Sequence, residues 1–277
     1  MAETTPLQSD KEETPNYPPP DYITAAREHG LKLRQSAPPR KGPQPFDIPI
    51  IQYLKSHRVI LASASPRRKA LLSQVGLTNI EIQPSTKPEN LSKDALGPYE
   101  YVSATARQKC LDVYSTAITQ GKEPDVVIAA DTIIVTREGR ILEKPANEAA
   151  HIRMLKHLRD TRFHKVLTAI CCMAPKADAT HPGYEIAGHI EETKVYFASE
   201  RDGLPDDVVE SYVRTREGVD KAGGYAVQGL AGMMLVEKVE GCVDNVVGLP
   251  VRKTLQLCEK VVFRQGEESE GDEDDDE

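Results

Sequence analysis

Two hydroxyls and two arginines stand close enough in this sequence to grip one anion. The segment Arg58 to Leu77, RVILASASPRRKALLSQVGL, carries Ser63, Ser65, Arg67 and Arg68 in quick succession. Hydroxyls and guanidinium forks are donors that a phosphate accepts, and a helix opening at the same point adds its free backbone N–H groups. Such a helix is expected here. Ser65 is a good N-cap, Pro66 sits at the first helical position where its missing N–H costs nothing, and Gly76 supplies the stop. The alternative is that Arg67 and Arg68 are ordinary solvated charges. Against it, two cations at the positive end of the helix dipole are unfavourable by roughly 0.3–1 kcal/mol each at an exposed site unless an anion answers them.

A second feature is Asp131, an acid inside the apolar run DVVIAADTIIVT. Burying a carboxylate among Val, Ile and Ala is costly without compensation. Either it forms a structural ion pair with Lys109 or Lys144, or it holds a divalent cation or activates water at a strand end. Hard oxygen ligands beside a phosphate favour Mg2+ or Mn2+ over zinc, and no zinc-type ligand cluster is visible. A third feature is the glycine-rich stretch Asp220 to Gly232, DKAGGYAVQGLAG, with Lys221, Tyr225 and Gln228. Glycines let a backbone approach a ligand closely, although a surface turn reads equally well from composition.

The elements that must position these residues follow from periodicity. Val59 to Leu61 suits a short buried strand ahead of the Ser65 helix, whose apolar face is Leu71, Leu72 and Val75. NIEIQPS alternates like a strand, and Ser85 to Gly97 reads as a polar loop. PYEYVSATARQKCLDVYSTAI places Val102, Ala106, Cys110, Val113 and Ala117 on one helical face. DVVIAADTIIVT is a buried strand, REGR a hairpin turn, and ILEKP the return that brings back Glu143 and Lys144. Asn147 should cap the helix EAAHIRMLKHLRD. HKVLTAICCMA reads as a buried strand and EIAGHIEETKVYFAS as a long strand at the sheet's edge. Asp206 or Asp207 starts a helix over VVESYVRTRE, and PVRKTLQLCEKVVF closes the domain as another.

Composition bounds the function. The chain has 277 residues and a formal charge of −8, but residues 267–277 alone hold nine carboxylates. The body is therefore nearly neutral. The acidic tail, 265–277, and the Pro- and Glu-rich stretch 1–45 should be disordered, leaving a folded domain at 46–264. With no Trp, few Phe and no basic stripe interleaved with aromatics, nucleic acid is not the expected partner; a small phosphate is. The five cysteines lack CxxC or metal-type spacing and should be reduced and mostly buried. Neither a signal peptide nor a membrane span is evident, so a soluble cytoplasmic protein is expected. Whether it forms a homodimer stays open.

ASASPRR, AADT, LEKP, HKVLTA, ETKVYF, DKAGGYAVQG and VVGLP, in this order and spacing, resemble the Maf family of nucleoside triphosphate pyrophosphatases, from about Arg58 to Phe263. The resemblance implies an elongated α/β fold, a central mixed sheet with flanking helices and a cleft, shared with the inosine triphosphate pyrophosphatases. It implies hydrolysis of a nucleoside triphosphate to monophosphate and pyrophosphate, with dTTP and UTP preferred. Position by position, Asp131 resembles the proton acceptor, and Arg67, Thr132 and Gln228 the specificity positions. Arg68, Lys109, Lys144 and Lys221 would hold phosphates, with Ser63 and Ser65 lining the cradle. Glu89 is similar to a metal-associated acid after the second strand, so Glu89 and Asp131 would bind Mg2+ or Mn2+. Two other readings are a nucleotide-binding regulator of cell division without turnover, and a scaffold acting through its tails.

Overall fold

The computed structural model describes residues 46–88, 90–176 and 183–266, and of Asp94 the backbone alone. Glu89, residues 1–45, residues 267–277 and most of the loop between Lys176 and Gly183 lie outside the described residues.

Helix α1, Pro49–Ser56, leads into β1, Val59–Leu61, whose three residues are all buried. The next helix, α2, spans Pro66–Gln74; Ser65 caps it by accepting from the Arg68 N–H, and Gly76 follows with φ +89°. After β2, Glu81–Ile82, comes α3, Lys93–Thr119, bent at Gly97 with φ +70° just before Pro98. Strand β3, Val126–Val135, returns through the two-residue β4, Ile141–Leu142. Helix α4, Glu148–Asp160, starts at Asn147, whose Oδ1 accepts from the Ala150 N–H at 2.8 Å. Strands β5, Phe163–Pro175, and β6, Tyr184–Phe197, form a long antiparallel pair. Helix α5 is Asp206–Arg214 and α6 is Leu230–Met234. Strand β7, Val236–Glu240, and helices α7, Val243–Val247, and α8, Val251–Phe263, complete the chain.

The sheet is mixed and, among the described residues, has seven strands in the order β2-β1-β3-β5-β6-β7, with β4 also on β3. Because strand side chains alternate, β3 feeds both faces. Val126, Ile128 and Ala130 pack with α1, α2 and α8. Val127, Ala129, Ile133 and Val135 pack with α3, where Val102, Ala106, Cys110, Val113 and Ala117 are each at most 1% exposed. Ile134 joins a third cluster with α4, α5 and Phe197. The cysteines are all free thiols and four of the five are buried.

One edge of β3 is interrupted. β1 runs parallel to it up to Ile128, and β4 pairs with it only from Ile134. From Ala129 to Ile133, β5 holds one side, while on the other no described strand pairs with it. The chain leaves β1 at this notch and turns into α2.

Three expectations are corrected. NIEIQPS yields only a two-residue strand, both residues exposed, because Pro84 cannot continue a ladder. The loop expected to reach Gly97 ends at Ser92, whose side chain caps α3 by accepting from the Ala95 N–H. β6 is the edge strand only over its first part, since β7 pairs with Lys194 to Phe197.

Candidate functional site

The β1–α2 junction holds Ser63 and Ser65 where β1 ends, and Arg68 one turn into the helix. Arg68 reaches inward. Its Nε donates to the Gly248 carbonyl at 2.7 Å, Nη1 to Ser63 Oγ at 2.9 Å and Nη2 to Thr132 Oγ1 at 2.9 Å. The guanidinium thus ties β1, β3 and the loop after α7 together. Gly248 permits this: its φ is +123°, and a Cβ there would stand 3.4 Å from Thr132 Oγ1. Expected as a phosphate ligand, Arg68 spends three of its donors on protein acceptors.

Polar contacts continue beneath Thr132. Its Oγ1 lies 3.0 Å from Thr168 Oγ1 on β5, and Thr168 donates to the Asn245 carbonyl at 3.1 Å. Asn245 Nδ2 donates in turn to Thr193 Oγ1 at 2.9 Å and to the Val166 carbonyl at 3.2 Å. Thr168, Thr193 and Asn245 are fully buried. Sequence reasoning missed all three. For Thr168 the available signal was the one that exposed Asp131, a polar side chain inside an apolar run; Thr193 and Asn245 stand beside polar neighbours and lack it.

Asp131 takes the other face of β3 and is 7% exposed. Lys109 on α3 donates to its Oδ1 at 2.7 Å. Of the two lysines considered as partners, the structure pairs Lys109 with the acid, while Lys144 is exposed beyond β4. Asp131 and Thr132 nevertheless share the notch, since both lie on the unpaired stretch of the β3 edge.

The glycine-rich segment is braced from three sides. His164 Nε2 meets the Tyr225 hydroxyl at 2.7 Å, and burial pushes His164 down to about 3. Glu217 accepts from the Leu230 and Ala231 N–H groups at 3.0 and 3.3 Å, directly after Gln228 and Gly229. A Cβ at 229 would come within 2.5 Å of that carboxylate, so a side chain there would push Glu217 off these two N–H groups. Lys221 donates to the Glu217 carbonyl at 2.7 Å and to Asp220. Lys221 holds the Asp220 carboxyl below the usual carboxylate range, and Arg67 adds a smaller pull, which brings the start of α2 and this segment into one electrostatic neighbourhood. Arg67 keeps a buried Nε without a hydrogen-bond partner. Gln228 is exposed.

The structure therefore joins Ser63, Ser65, Arg68 and Thr132 in one cluster, Asp131 and Lys109 in a second, and Arg67 with Lys221 through Asp220. A cavity of about 450 Å³ lies elsewhere, between the start of α4 and the turn after α5; none of the predicted site residues lines it. Among the described residues, no group of three or more His, Cys, Asp or Glu side chains could form a metal cage. Asp131 alone of the two predicted metal ligands is described. One carboxylate suits Mg2+, which keeps waters and takes the rest of its shell from substrate phosphates. No helix among the described residues is long and apolar enough to cross a membrane.

An α/β protein with hydroxyls and arginines at a helix start, set over a strand-borne acid where the sheet opens, belongs to the class that binds phosphorylated small molecules at such a switch point. This chain is a member of the Maf family: residues 58–261 match the Maf-like protein family. A dTTP/UTP pyrophosphatase of Schizosaccharomyces pombe is 44% identical over 211 residues, covering 76% of this chain and 86% of the relative. The dTTP/UTP pyrophosphatase of Anaeromyxobacter dehalogenans is 40% identical over 206 residues, 74% of this chain and 95% of that one. That of Caldicellulosiruptor saccharolyticus is 37% identical over 206 residues, with shares of 74% and 96%.

Proposed function

We propose that this protein hydrolyses nucleoside triphosphates, dTTP and UTP foremost, to the monophosphate and pyrophosphate. The observation that carries this reading is the notch itself: the hydroxyl-lined start of α2 and the part-buried Asp131–Lys109 pair meet at one gap in the sheet. Relatives bearing the name dTTP/UTP pyrophosphatase supply the substrate class.

The triphosphate lies over the start of α2, with Ser63 and Ser65 on its oxygens. Lys109, Lys144 and Lys221 neutralise its charge. Asp131 orients a water and takes its proton as the oxygen attacks the α-phosphorus, and the bond to the leaving pyrophosphate breaks. Such catalysis is mostly positioning and electrostatic stabilisation. Thr132, Gln228 and Arg67 read the base, while Arg68 shapes the site from behind. A divalent cation, Mg2+ or Mn2+, held by Asp131 and Glu89, would supply further neutralisation of phosphate charge when bound. We assign the activity to residues 46–264 and give the tails no part in it.

The test is pyrophosphate release from dTTP, UTP, CTP and GTP, with and without chelator. Turnover of dTTP and UTP above the others, abolished by chelation and restored by Mg2+ or Mn2+, is the expected result. Absence of pyrophosphate from every nucleotide would sink the proposal.

A further inference from the structure

The hydrogen bonds around Thr132 have a forced direction. An arginine only donates and a backbone carbonyl only accepts. Thr168 gives its hydroxyl hydrogen to the Asn245 carbonyl at 3.1 Å, so it cannot also give it to Thr132. The 3.0 Å contact between the two threonines is therefore donated by Thr132. Thr132 meanwhile accepts from Arg68 Nη2 at 2.9 Å. Its hydrogen is committed inward, and what it offers outward is a lone pair. Thr132 is partly exposed, so that lone pair is accessible at the notch, whereas Thr168 and Asn245 are sealed beneath it.

The same guanidinium gives Ser63 the opposite polarity. Ser63 Oγ accepts from Arg68 Nη1 at 2.9 Å and from the Ser65 N–H at 3.3 Å. With both lone pairs engaged, it has its hydrogen left to give. The site thus presents a donor at Ser63, suited to a phosphate oxygen, and an acceptor at Thr132, suited to an N–H.

We infer that Thr168 is a positioning residue for base selection: by taking the hydrogen of Thr132 it makes that hydroxyl an acceptor for the N3–H of uracil or thymine. Cytosine presents a lone pair at N3 and meets another. The inference rests on the proposed role of Thr132 in reading the base. It adds a buried residue that never touches the substrate, and a reason why a hydroxyl able to donate or accept discriminates at all.

The experiment compares kcat/KM for UTP and CTP, which differ at this edge, in wild type, Thr168→Val and Thr168→Ser. Wild type should favour UTP by roughly tenfold to a hundredfold, the range expected of a buried hydrogen bond. Valine keeps the shape of threonine but cannot accept, so the Thr132 hydroxyl is free to turn outward and donate to cytosine. The UTP:CTP ratio should then fall about tenfold, with UTP turnover reduced only a few-fold. Serine restores the acceptor and should keep the wild-type ratio. An unchanged ratio in Thr168→Val, or equal loss of both substrates, overturns the inference. Should that variant fail to fold, N3-methyl-UTP tests the same contact on the wild type: turnover as poor as that of CTP supports it, and turnover equal to that of UTP overturns it. A wild type that releases no pyrophosphate, or has no preference between UTP and CTP, overturns the proposed base reading as well; preference for UTP that survives Thr168→Val overturns this inference alone.

Discussion

Replacing Arg68 with lysine separates a residue that holds the protein together from one that only holds phosphate. In the free protein the guanidinium makes hydrogen bonds of 2.7, 2.9 and 2.9 Å to Gly248, Ser63 and Thr132. A lysine keeps the charge but brings one compact ammonium in place of a planar fork, so it can satisfy one of these acceptors well. Two charge-assisted bonds are then lost. At about 1–2 kcal/mol each for a partly exposed donor, the cost is about 2–4 kcal/mol. For a domain of this size that is a fall in Tm of roughly 5–15 °C. The measurement is thermal unfolding of wild type and Arg68→Lys without nucleotide, followed by kcat/KM for UTP. If Arg68 served phosphate alone, removing its fork would leave the nucleotide-free Tm unchanged. A shift within about 1 °C would therefore refute the bracing role, whatever happened to turnover.

Asp131→Asn should reduce pyrophosphate release by at least about a hundredfold while leaving nucleotide affinity within a few-fold, since shape is kept and the proposed proton acceptor is lost; retained turnover removes Asp131 from catalysis. Burial pushes His164 down to about 3, whereas the unfolded chain takes up this proton near 6.5. Its stabilising contribution is thus complete above about pH 6.5 and is lost at about 1.4 kcal/mol per pH unit as pH falls towards 3. Tm measured between pH 7 and pH 5 should drop more steeply in wild type than in His164→Gln, and equal slopes would contradict the assignment.

What could be read from the sequence was whatever local chemistry alone decides. Ser65, Pro66 and Gly76 delimit α2 because capping and φ are local properties, and Asn147 does the same for α4. The apolar face from Val102 to Ala117 declared itself by spacing. Asp131 stood out because an acid in an apolar run has few innocent explanations. Thr132, Thr168 and Thr193 gave a weaker signal, since threonine is a strand former in its own right and its hydroxyl passes as propensity. Asn245 and Gly248 matter through partners on β3, β5, β6 and α2, far away in sequence. Alternation in β6 likewise says which face is buried, not whether a neighbour such as β7 pairs with its outer edge.

The interruption of the sheet resolves an apparent conflict in the site. Asp131 and Thr132 are consecutive on a strand and so point to opposite faces, one towards Lys109 and the other towards Arg68. A ligand resting on either face could touch only one of them. Both are reachable from the strand's edge, which would be closed had β1 run further or β4 begun sooner. β1 ends opposite Ile128 and β4 starts opposite Ile134, so the opening spans the residues on either side of this pair. The short β1 is therefore a requirement of the site: its chain turns away after Leu61 and spends the next residues, Ser63 and Ser65, on the rim of the gap. Lengthening β1 would pair the β3 edge, bury the acid on one side and the threonine on the other, and separate the proposed proton acceptor from the hydroxyl proposed to read the base.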